Sequence, residues 1–232
     1  MQYLGGKSRI AGAIVASINA LTETGRPFYD VFCGGLSITV AAAATRSGSV
    51  LANDRCAPLI TLYSRWAQGW RPARSIGYLD YKQLQAKQDP LDPRTALAGF
   101  GLSFGGKWFA GYARNKSGRD YYSSAVRVLS DKIKVCGGGV KFTCLDYSVI
   151  RVAPGSVVYL DPPYAGTTGY GYHKGFSRAR FLEWVTSVQN SGSDVFLSEY
   201  ESPGDGWTCV EEFPLVHGRL ATRPERLYHL PR

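Results

Sequence analysis

The chain has 232 residues, 44% of them hydrophobic and 13% aromatic, and a net charge of +9. That length fits one well-cored domain with a modest insertion and excludes two independent large ones. No apolar stretch approaches the roughly 18 residues of a bilayer span, so the composition is that of a soluble protein. The surplus of Lys and Arg favours a polyanionic partner, because each phosphate neutralised releases counterions. Five cysteines without a C-x-x-C pair and three scattered histidines exclude a disulfide framework and a structural zinc site, and place the chain in a reducing compartment.

In chain order, residues 8–20 carry Ile10, Ala11, Ile14, Val15 and Ile18 at helical spacing. Ser17 and Asn19 interrupt the run and no cleavage site follows, so it reads as mature sequence rather than a signal peptide. A break at Gly25–Pro27 precedes a strand over 28–32. Cys33-Gly34-Gly35-Leu36-Ser37 then opens a helix through Arg46, and 49–52 forms a second strand ending at Asn53-Asp54. This is a βαβ unit. Beyond it come a helix over 59–70, a proline-broken stretch at 89–94, and the aromatic, glycine-rich, basic segment GFGLSFGGKWFAGYARNKSGRDYY. After Gly137–Gly139 the β/α rhythm resumes with strands at 140–144, 156–160 and 194–199 and a helix at 178–190. Two final extended runs, 208–215 and 225–230, are expected to close the sheet antiparallel.

The expected fold is therefore α/β and Rossmann-like. Residues 1–57 and 139–232 form the catalytic sheet domain, and 58–138 an inserted, mainly helical subdomain that reads the target.

Strand, glycine turn, helix, strand and acid make the layout that cradles an adenosine-containing cofactor at the carboxyl edge of a parallel sheet. Phe32-x-Gly34-Gly35 supplies the turn. Asp54 follows about 20 residues later, where a carboxylate accepts ribose hydroxyl hydrogens. The lack of a full G-x-G-x-x-G argues against a dinucleotide. At the end of the 156–160 strand stands Asp161-Pro162-Pro163-Tyr164. The Asp161 carboxylate and the Pro162 carbonyl, held outward by the stiff proline pair, offer two acceptors for one NH₂ group. An exocyclic amine on a nucleobase is a poor nucleophile, and two out-of-plane acceptors favour a pyramidal nitrogen with an exposed lone pair. Tyr164 offers a stacking face worth about 1–3 kcal/mol to a base drawn from the duplex.

These segments resemble the Dam-like, alpha-class DNA adenine methyltransferases, of the phage and prophage type. Tyr3-Leu4-Gly5-Gly6-Lys7 resembles the family's N-terminal aromatic-x-G-G-K element, Phe32-Cys33-Gly34-Gly35 its F-x-G motif, Asp54 its acid after strand two, and Asp161 to Tyr164 its D-P-P-Y motif. Asp146, in CLDY, matches a family position near the cofactor adenine. The resemblance implies S-adenosylmethionine as cofactor, held by Tyr3, Gly5, Gly6, Lys7, Phe32, Gly34, Gly35, Asp54, Asp146 and Asp161. It implies Asp161, Pro162, Pro163 and Tyr164 as the catalytic set around a flipped adenine. Double-stranded DNA is the implied partner, with no metal and no membrane, for a monomer in a bacterial cytoplasm. Transfer would be a direct displacement dominated by positioning and acceptor electrostatics. Methylation of cytosine N4 or of RNA adenine, or a silent DNA-binding relative, are the alternatives, since D-P-P-Y recognises an amine rather than a whole base. Two departures stand out. Leu36 replaces a small residue, and Ser198-Glu199-Tyr200 stands where many relatives carry Ser-Asn.

Within the insert, Lys107, Arg114, Asn115, Lys116, Arg119, Tyr121 and Tyr122, with Trp108 and Tyr112, mix cations, an amide and rings as a phosphate-gripping hairpin does. Gly101 to Lys107 nearly spells a P-loop, but Trp108 replaces the Ser or Thr that would hold magnesium, so a nucleotidase is rejected. His173, beside Lys174, reads as a surface histidine, Trp66 and Trp70 as core, and Cys33 as a small buried hydrophobe.

Overall fold

The computed structural model describes residues 1, 3, 5–114, 118–163, 176–214, 216–217, 220–221 and 224–232. Helix α1 (Ala11–Leu21) turns Ala11, Ile14, Val15 and Ile18 inward, the face its 3.6-residue period specifies. It is followed by β1 (Phe28–Asp30), α2 (Ser37–Thr45), β2 (Val50–Asn53) and α3 (Ala57–Ala67). Pro58 opens α3, where a missing N–H costs nothing.

The connection from β2 to the third strand is long and mostly helical. It contains α4 (Tyr78–Lys87), the short α5 (Pro93–Ala96) leading into a π-helical turn at 97–101, a 3₁₀ turn at 104–106, and α6 (Tyr121–Cys136). Two of these helices begin at aspartate caps. The Asp92 carboxylate accepts from Arg94 N at 2.9 Å and the Asp120 carboxylate from Ser123 N at 2.9 Å. Only Tyr121 and Tyr122 of helix α6 belong to the segment of rings, glycines and cations, and the rest of the helix lies where the sequence analysis assigns no element. Its cap and its buried stripe of Ala125, Leu129, Ile133 and Cys136 identify it. One apolar cluster runs without interruption from Cys33, Leu36 and Ala52 in the sheet through Tyr63 and Trp66 to Phe100 and Leu129.

The sheet resumes with β3 (Val140–Thr143), β4 (Val157–Leu160), α7 (Arg178–Asn190), β5 (Asp194–Glu199), β6 (Thr208–Phe213), the two-stranded ribbon β7 (Val216–His217) and β8 (Leu220–Ala221), and β9 (Glu225–Leu230). Seven strands lie in the order β3-β2-β1-β4-β5-β9-β6, the first five parallel. Every residue of β4 and β5 is buried, as strands covered by helices on both faces must be.

The last two strands depart in part from expectation. Only β9 opposes the sheet; it is antiparallel to both β5 and β6, so β6 runs in the same direction as β5. Leu227 and Tyr228 of β9 are buried, whereas Glu211 and Glu212 of β6 are exposed. The strand that buries Leu227 and Tyr228 takes the inner place, and the one with exposed Glu211 and Glu212 forms the edge.

From β1 the chain winds outward through β2 and β3 on one side, and β4 and β5 lie on the other. Strand order therefore reverses between β1 and β4, and ligands of open α/β sheets sit outside the carboxyl ends of the strands at such a reversal.

Candidate active site

The chain leaves β1 at Asp30 and enters α2 through a tight turn. Gly34 has φ +40° and Leu36 φ +62°, both left-handed. For Leu36 that conformation costs roughly 1–2 kcal/mol, offset by complete burial of its side chain. Neighbours hold the turn on several sides. Cys33 N donates to Asn53 O at 2.7 Å, Gly34 N to Asp54 Oδ2 at 2.9 Å and Tyr63 OH to Gly34 O at 2.6 Å. The Lys132 ammonium, from α6, donates to Gly35 O. Tyr3 lies directly over this turn. A Cβ on Gly34 would come within 2.8 Å of the Tyr3 ring, and one on Gly35 within 3.0 Å of Tyr3 Cβ. Gly34 is thus required by close approach and by backbone sign, and Gly35 by close approach alone.

Asp54 stands between the glycine turn and the start of α3, its second oxygen accepting from Cys56 N at 2.8 Å. Beside it the buried Asn53 amide donates to Val31 O and Leu145 O and accepts from Thr143 Oγ1 and Leu145 N. It ties the ends of three strands with all its hydrogen-bonding capacity used. Asp146 caps the 3₁₀ turn at 147–149, accepting from Ser148 N and Oγ, and pairs with Arg55 at 3.5 Å. Burial pushes its pKa up, but those hydrogen bonds and the Arg55 charge outweigh it and hold the carboxyl below its ordinary value. Phe32 packs edgewise on Phe176 and tilted on Tyr147 and Phe181, making an apolar wall on this side.

Asp161 follows β4 directly. Its Oδ1 lies 3.0 Å from Lys7 Nζ, and the same ammonium lies 2.7 Å from Glu225 Oε1, at the start of β9. Lys7 is 7% exposed. Burial acts to lower its pKa, but the charges and hydrogen bonds of Asp161 and Glu225 outweigh that and raise it above the usual lysine range. The N-terminal element, the end of β4 and the start of β9 thus meet at one buried cation. Pro162 is buried and Pro163 half-buried. Tyr164, like His173 and Lys174, lies outside the described residues.

Register brings the two halves together. Asp30 on β1 pairs with Tyr159 on β4, so the glycine turn and Asp161 leave adjacent strands at the same edge. Tyr159 OH shares a 2.7 Å hydrogen bond with Ser198, and both are fully buried.

Sequence reasoning missed Asp30, Glu225 and Lys132. Asp30 is 1% exposed; Oδ2 accepts from Thr39 Oγ1 at 2.6 Å, and Oδ1 has no hydrogen-bond partner among the described residues. Burial first, then the nearby charges of Asp161 and Asp54, push its pKa up to about 7 against the Thr39 hydrogen bond. The available signal was an acid inside an apolar strand immediately before a glycine turn. Glu225 gave a similar one, an acid opening the apolar run of β9.

The insert residues separate into two kinds. Lys107, Arg114 and Arg119 are exposed; Arg114 lies 4.6 Å over the Tyr78 ring and Arg119 5.1 Å over that of Tyr121. Tyr112 OH donates to Ile76 O and Tyr122 OH to Arg74 O, each at 3.2 Å, so these rings pin the insert to itself. Trp108 donates to Gln88 and covers Gly99, where a Cβ would come within 2.4 Å of the indole. Asn115 and Lys116 lie outside the described residues. Residues 101–107 run from a π-helical turn into a 3₁₀ turn, without the strand-to-helix context of a P-loop. Trp66 and Cys33 are buried as expected, and Trp70 packs at 5.9 Å on Trp66.

Among the described residues no helix is long and apolar enough to cross a membrane, and no group of three or more His, Cys, Asp or Glu is arranged to hold a metal. The edge instead offers carboxylates and close-approach backbone. Asp30 presents an unpaired buried oxygen suited to an ammonium, Asp54 and Asp146 offer acceptors suited to hydroxyls and an amine, and Gly34 and Gly35 bring the backbone close under Tyr3. That set of acceptors fits an adenosyl amino acid.

Residues 3–90 match the family model described as D12 class N6 adenine-specific DNA methyltransferase. The span holds Tyr3, Lys7, the glycine turn and Asp54 and ends before Asp161. Among solved structures, a candidate methyltransferase of Escherichia coli, yhhF, is similar at 9% identity and TM-score 0.44, over 96% of this chain and 85% of that one. The 23S rRNA methyltransferase ErmE is similar at 10% identity and TM-score 0.47, over 98% of this chain and 68% of that one. An rRNA methylase of Streptococcus thermophilus is similar at 10% identity and TM-score 0.38, over 96% of this chain and 94% of that one.

Proposed function

We propose that the protein is a methyltransferase that uses S-adenosylmethionine to methylate the N6 amine of adenine in double-stranded DNA. One observation carries the reading. Asp161, at the carboxyl end of β4, is charge-paired with the buried Lys7 and leaves the sheet beside the glycine turn of β1. The match of residues 3–90 to an adenine-specific family supports the same assignment.

S-adenosylmethionine, when bound, supplies a methyl group on a sulfonium, activated for direct displacement by the amine. Asp54, Asp146, Phe32 and the backbone of Gly34 and Gly35 would hold its adenosine part, and Asp30 and Tyr3 its amino-acid part, with Gly5 and Gly6 setting the Tyr3-to-Lys7 turn. Asp161 and the Pro162 carbonyl accept the two amine hydrogens of the target base, drawing the nitrogen out of conjugation. Lys7 fixes the Asp161 carboxylate so that its orientation is set before substrate arrives, and preorganisation of this kind is where such sites gain rate. The aromatic ring of Tyr164 stacks on the extruded base. Lys107, Arg114, Arg119 and Tyr121, with Asn115 and Lys116 outside the described residues, would supply the contacts to the phosphate backbone, which position the duplex without reading its sequence.

The test is direct. Unmethylated DNA and, in parallel, unmethylated RNA are incubated with the protein and cofactor, and modified bases are mapped by long-read sequencing. Adenine methylation that disappears in Asp161→Ala is the expected result. Methylation confined to cytosine or to RNA would overturn the substrate, and cofactor binding without any turnover would overturn the enzyme reading.

A further inference from the structure

The amino-acid end of S-adenosylmethionine carries an ammonium and a carboxylate on one carbon, so a site that holds it needs one charge of each sign. Asp30 offers the negative one. Lys7, in the N-terminal element, is already shared between Asp161 at 3.0 Å and Glu225 at 2.7 Å. Lys132, on α6 of the insert, is placed differently. It is half-buried, and its ammonium donates to two neutral acceptors, Gly35 O and Ser37 Oγ. Among the described residues no carboxylate pairs with it, and burial lowers its pKa. A cation drawn out of water without a counter-ion is costly. Lys132 lines a cavity of about 410 Å³ together with Tyr3, Gly6, Gly35, Ser37 and Ser124, and none of the lining residues is Asp or Glu. Tyr3, Gly6 and Gly35 make this cavity part of the cofactor site. Ser37 opens α2, so the cavity also meets a helix N-terminus, whose dipole favours an anion. The first turn of that helix touches both charges: Ser37 Oγ lies 3.4 Å from the Lys132 ammonium, and Thr39 Oγ1 donates to Asp30 at 2.6 Å.

We propose that Lys132 is the counter-ion of the cofactor's carboxylate, and that the insert thereby contributes a binding residue to the cofactor site of the sheet domain. The inference rests on the S-adenosylmethionine reading above and deepens it. An ammonium has three N–H donors. Two of them serve Gly35 O and Ser37 Oγ, and the third goes to the carboxylate, which supplies the compensating charge. Lys7 keeps its own task of orienting Asp161. Because Lys132 belongs to α6, cofactor binding also ties the insert to the glycine turn through a single side chain.

The experiment measures by calorimetry the affinity of two unreactive ligands, S-adenosylhomocysteine and its analogue lacking only the carboxylate, for wild type, Lys132→Gln and Lys132→Arg. Lys132→Gln keeps an N–H for Gly35 O and removes the charge. It is expected to weaken S-adenosylhomocysteine roughly 10- to 100-fold, the range of a hydrogen bond to a charged group, and to change the analogue by less than about threefold. Lys132→Arg, which keeps the charge, should retain most of the affinity for both. Equal losses for the two ligands in Lys132→Gln would make Lys132 a prop of the glycine turn alone and overturn the proposal. Undiminished binding of S-adenosylhomocysteine overturns it as well, as does a wild type that binds both ligands equally. The ammonium signal of ¹⁵N-lysine-labelled wild type, assigned by its loss in Lys132→Arg, gives an answer that does not depend on the folding of Lys132→Gln. It should move with S-adenosylhomocysteine and stay with the analogue, and equal movement with both overturns the assignment. A wild type that binds neither ligand would sink the S-adenosylmethionine reading itself, and this inference with it, whereas any of the other failures leaves that reading standing.

Discussion

Glu225 holds Lys7 more closely than Asp161 does, at 2.7 Å against 3.0 Å, and does so from the opposite end of the chain. With Lys7 and Glu225 both buried, loss of one partner leaves a buried charge less well compensated. Lys7→Met, which leaves two carboxylates facing each other, should destabilise by about 3–5 kcal/mol in urea titrations. Glu225→Gln keeps shape and one weak hydrogen bond, so it should fold. It loosens the Lys7 ammonium and with it Asp161, and is expected to lower kcat roughly tenfold with little change in cofactor affinity. Equal stability of Lys7→Met and wild type would show that the pairing holds nothing together.

Tyr3 and Gly34 predict a non-additive pair. Gly34→Ala puts a Cβ within 2.8 Å of the Tyr3 ring in a backbone of φ +40°, so it should weaken cofactor binding at least tenfold. Removing the ring in Tyr3→Ala relieves the collision but not the backbone strain of roughly 1–2 kcal/mol. The double variant should therefore bind cofactor better than the sum of the two losses implies, by a coupling of about 0.5–3 kcal/mol. Strict additivity in calorimetry would mean that Tyr3 moves off the turn when ligand binds.

The glycine turn, Asp54 and Asp161 were legible because each falls where a strand pattern ends, and period-2 or wholly apolar runs mark such ends. The strand order was not legible, since the inner position of β9 depends on how its buried Leu227 and Tyr228 compare with the acidic edge of β6. Glu225 and Lys7 are invisible as a pair because nothing local records a contact across almost the whole chain. In the insert, composition suggested a surface of rings and cations without showing that Tyr112 and Tyr122 spend their hydroxyls on Ile76 and Arg74 carbonyls.

That division of the insert is testable. Lys107→Ala and Arg114→Ala remove exposed cations and should each weaken duplex binding uniformly across sequences while lowering the salt slope by about one. Tyr122→Phe removes a hydrogen bond worth about 1 kcal/mol and should shift the denaturation midpoint with the slope intact. A Tyr122→Phe variant that loses duplex affinity at unchanged stability would move this ring to the DNA surface.

Asp30 gives the unliganded protein a pH signature. Its folded pKa of about 7 lies above the unfolded value near 3.9, so the native state holds a proton that the unfolded state has lost between those limits. Stability from this group is fully present below about pH 4 and is lost as pH rises through about 7, a swing on the order of a few kcal/mol. Asp30→Asn should flatten that part of the stability-against-pH curve and raise the thermal midpoint at pH 8. A cationic ligand beside Asp30 reverses the preference, so cofactor binding near pH 7 should release a proton, seen as a calorimetric heat that scales with buffer ionisation enthalpy and is absent in Asp30→Asn.

At the opposite edge of the sheet, Asp194 opens β5 and accepts from Arg26 at 2.6 Å and from His229 Nε2 at 2.8 Å, while Arg26 also donates to the Gly155 and Ser156 carbonyls. Burial acts to raise the Asp194 pKa, but the Arg26 and His229 hydrogen bonds and the Arg26 charge outweigh it and lower it. A depressed acid contributes stability that is present above the unfolded value near 3.9 and is lost as pH falls through the lower folded value. Asp194→Asn removes the counter-charge of the half-buried Arg26 guanidinium, which keeps the Gly155 and Ser156 carbonyls, and should cost about 1.5–3 kcal/mol at pH 7, with the gap to wild type closing as pH drops below 4. Because Asp194 stands at the amino end of β5 and Asp161 at the carboxyl end of β4, two parallel neighbours, turnover per folded molecule should be unchanged. A variant that loses turnover while still folded would show that this clasp shapes the far edge of the sheet as well as holding its own.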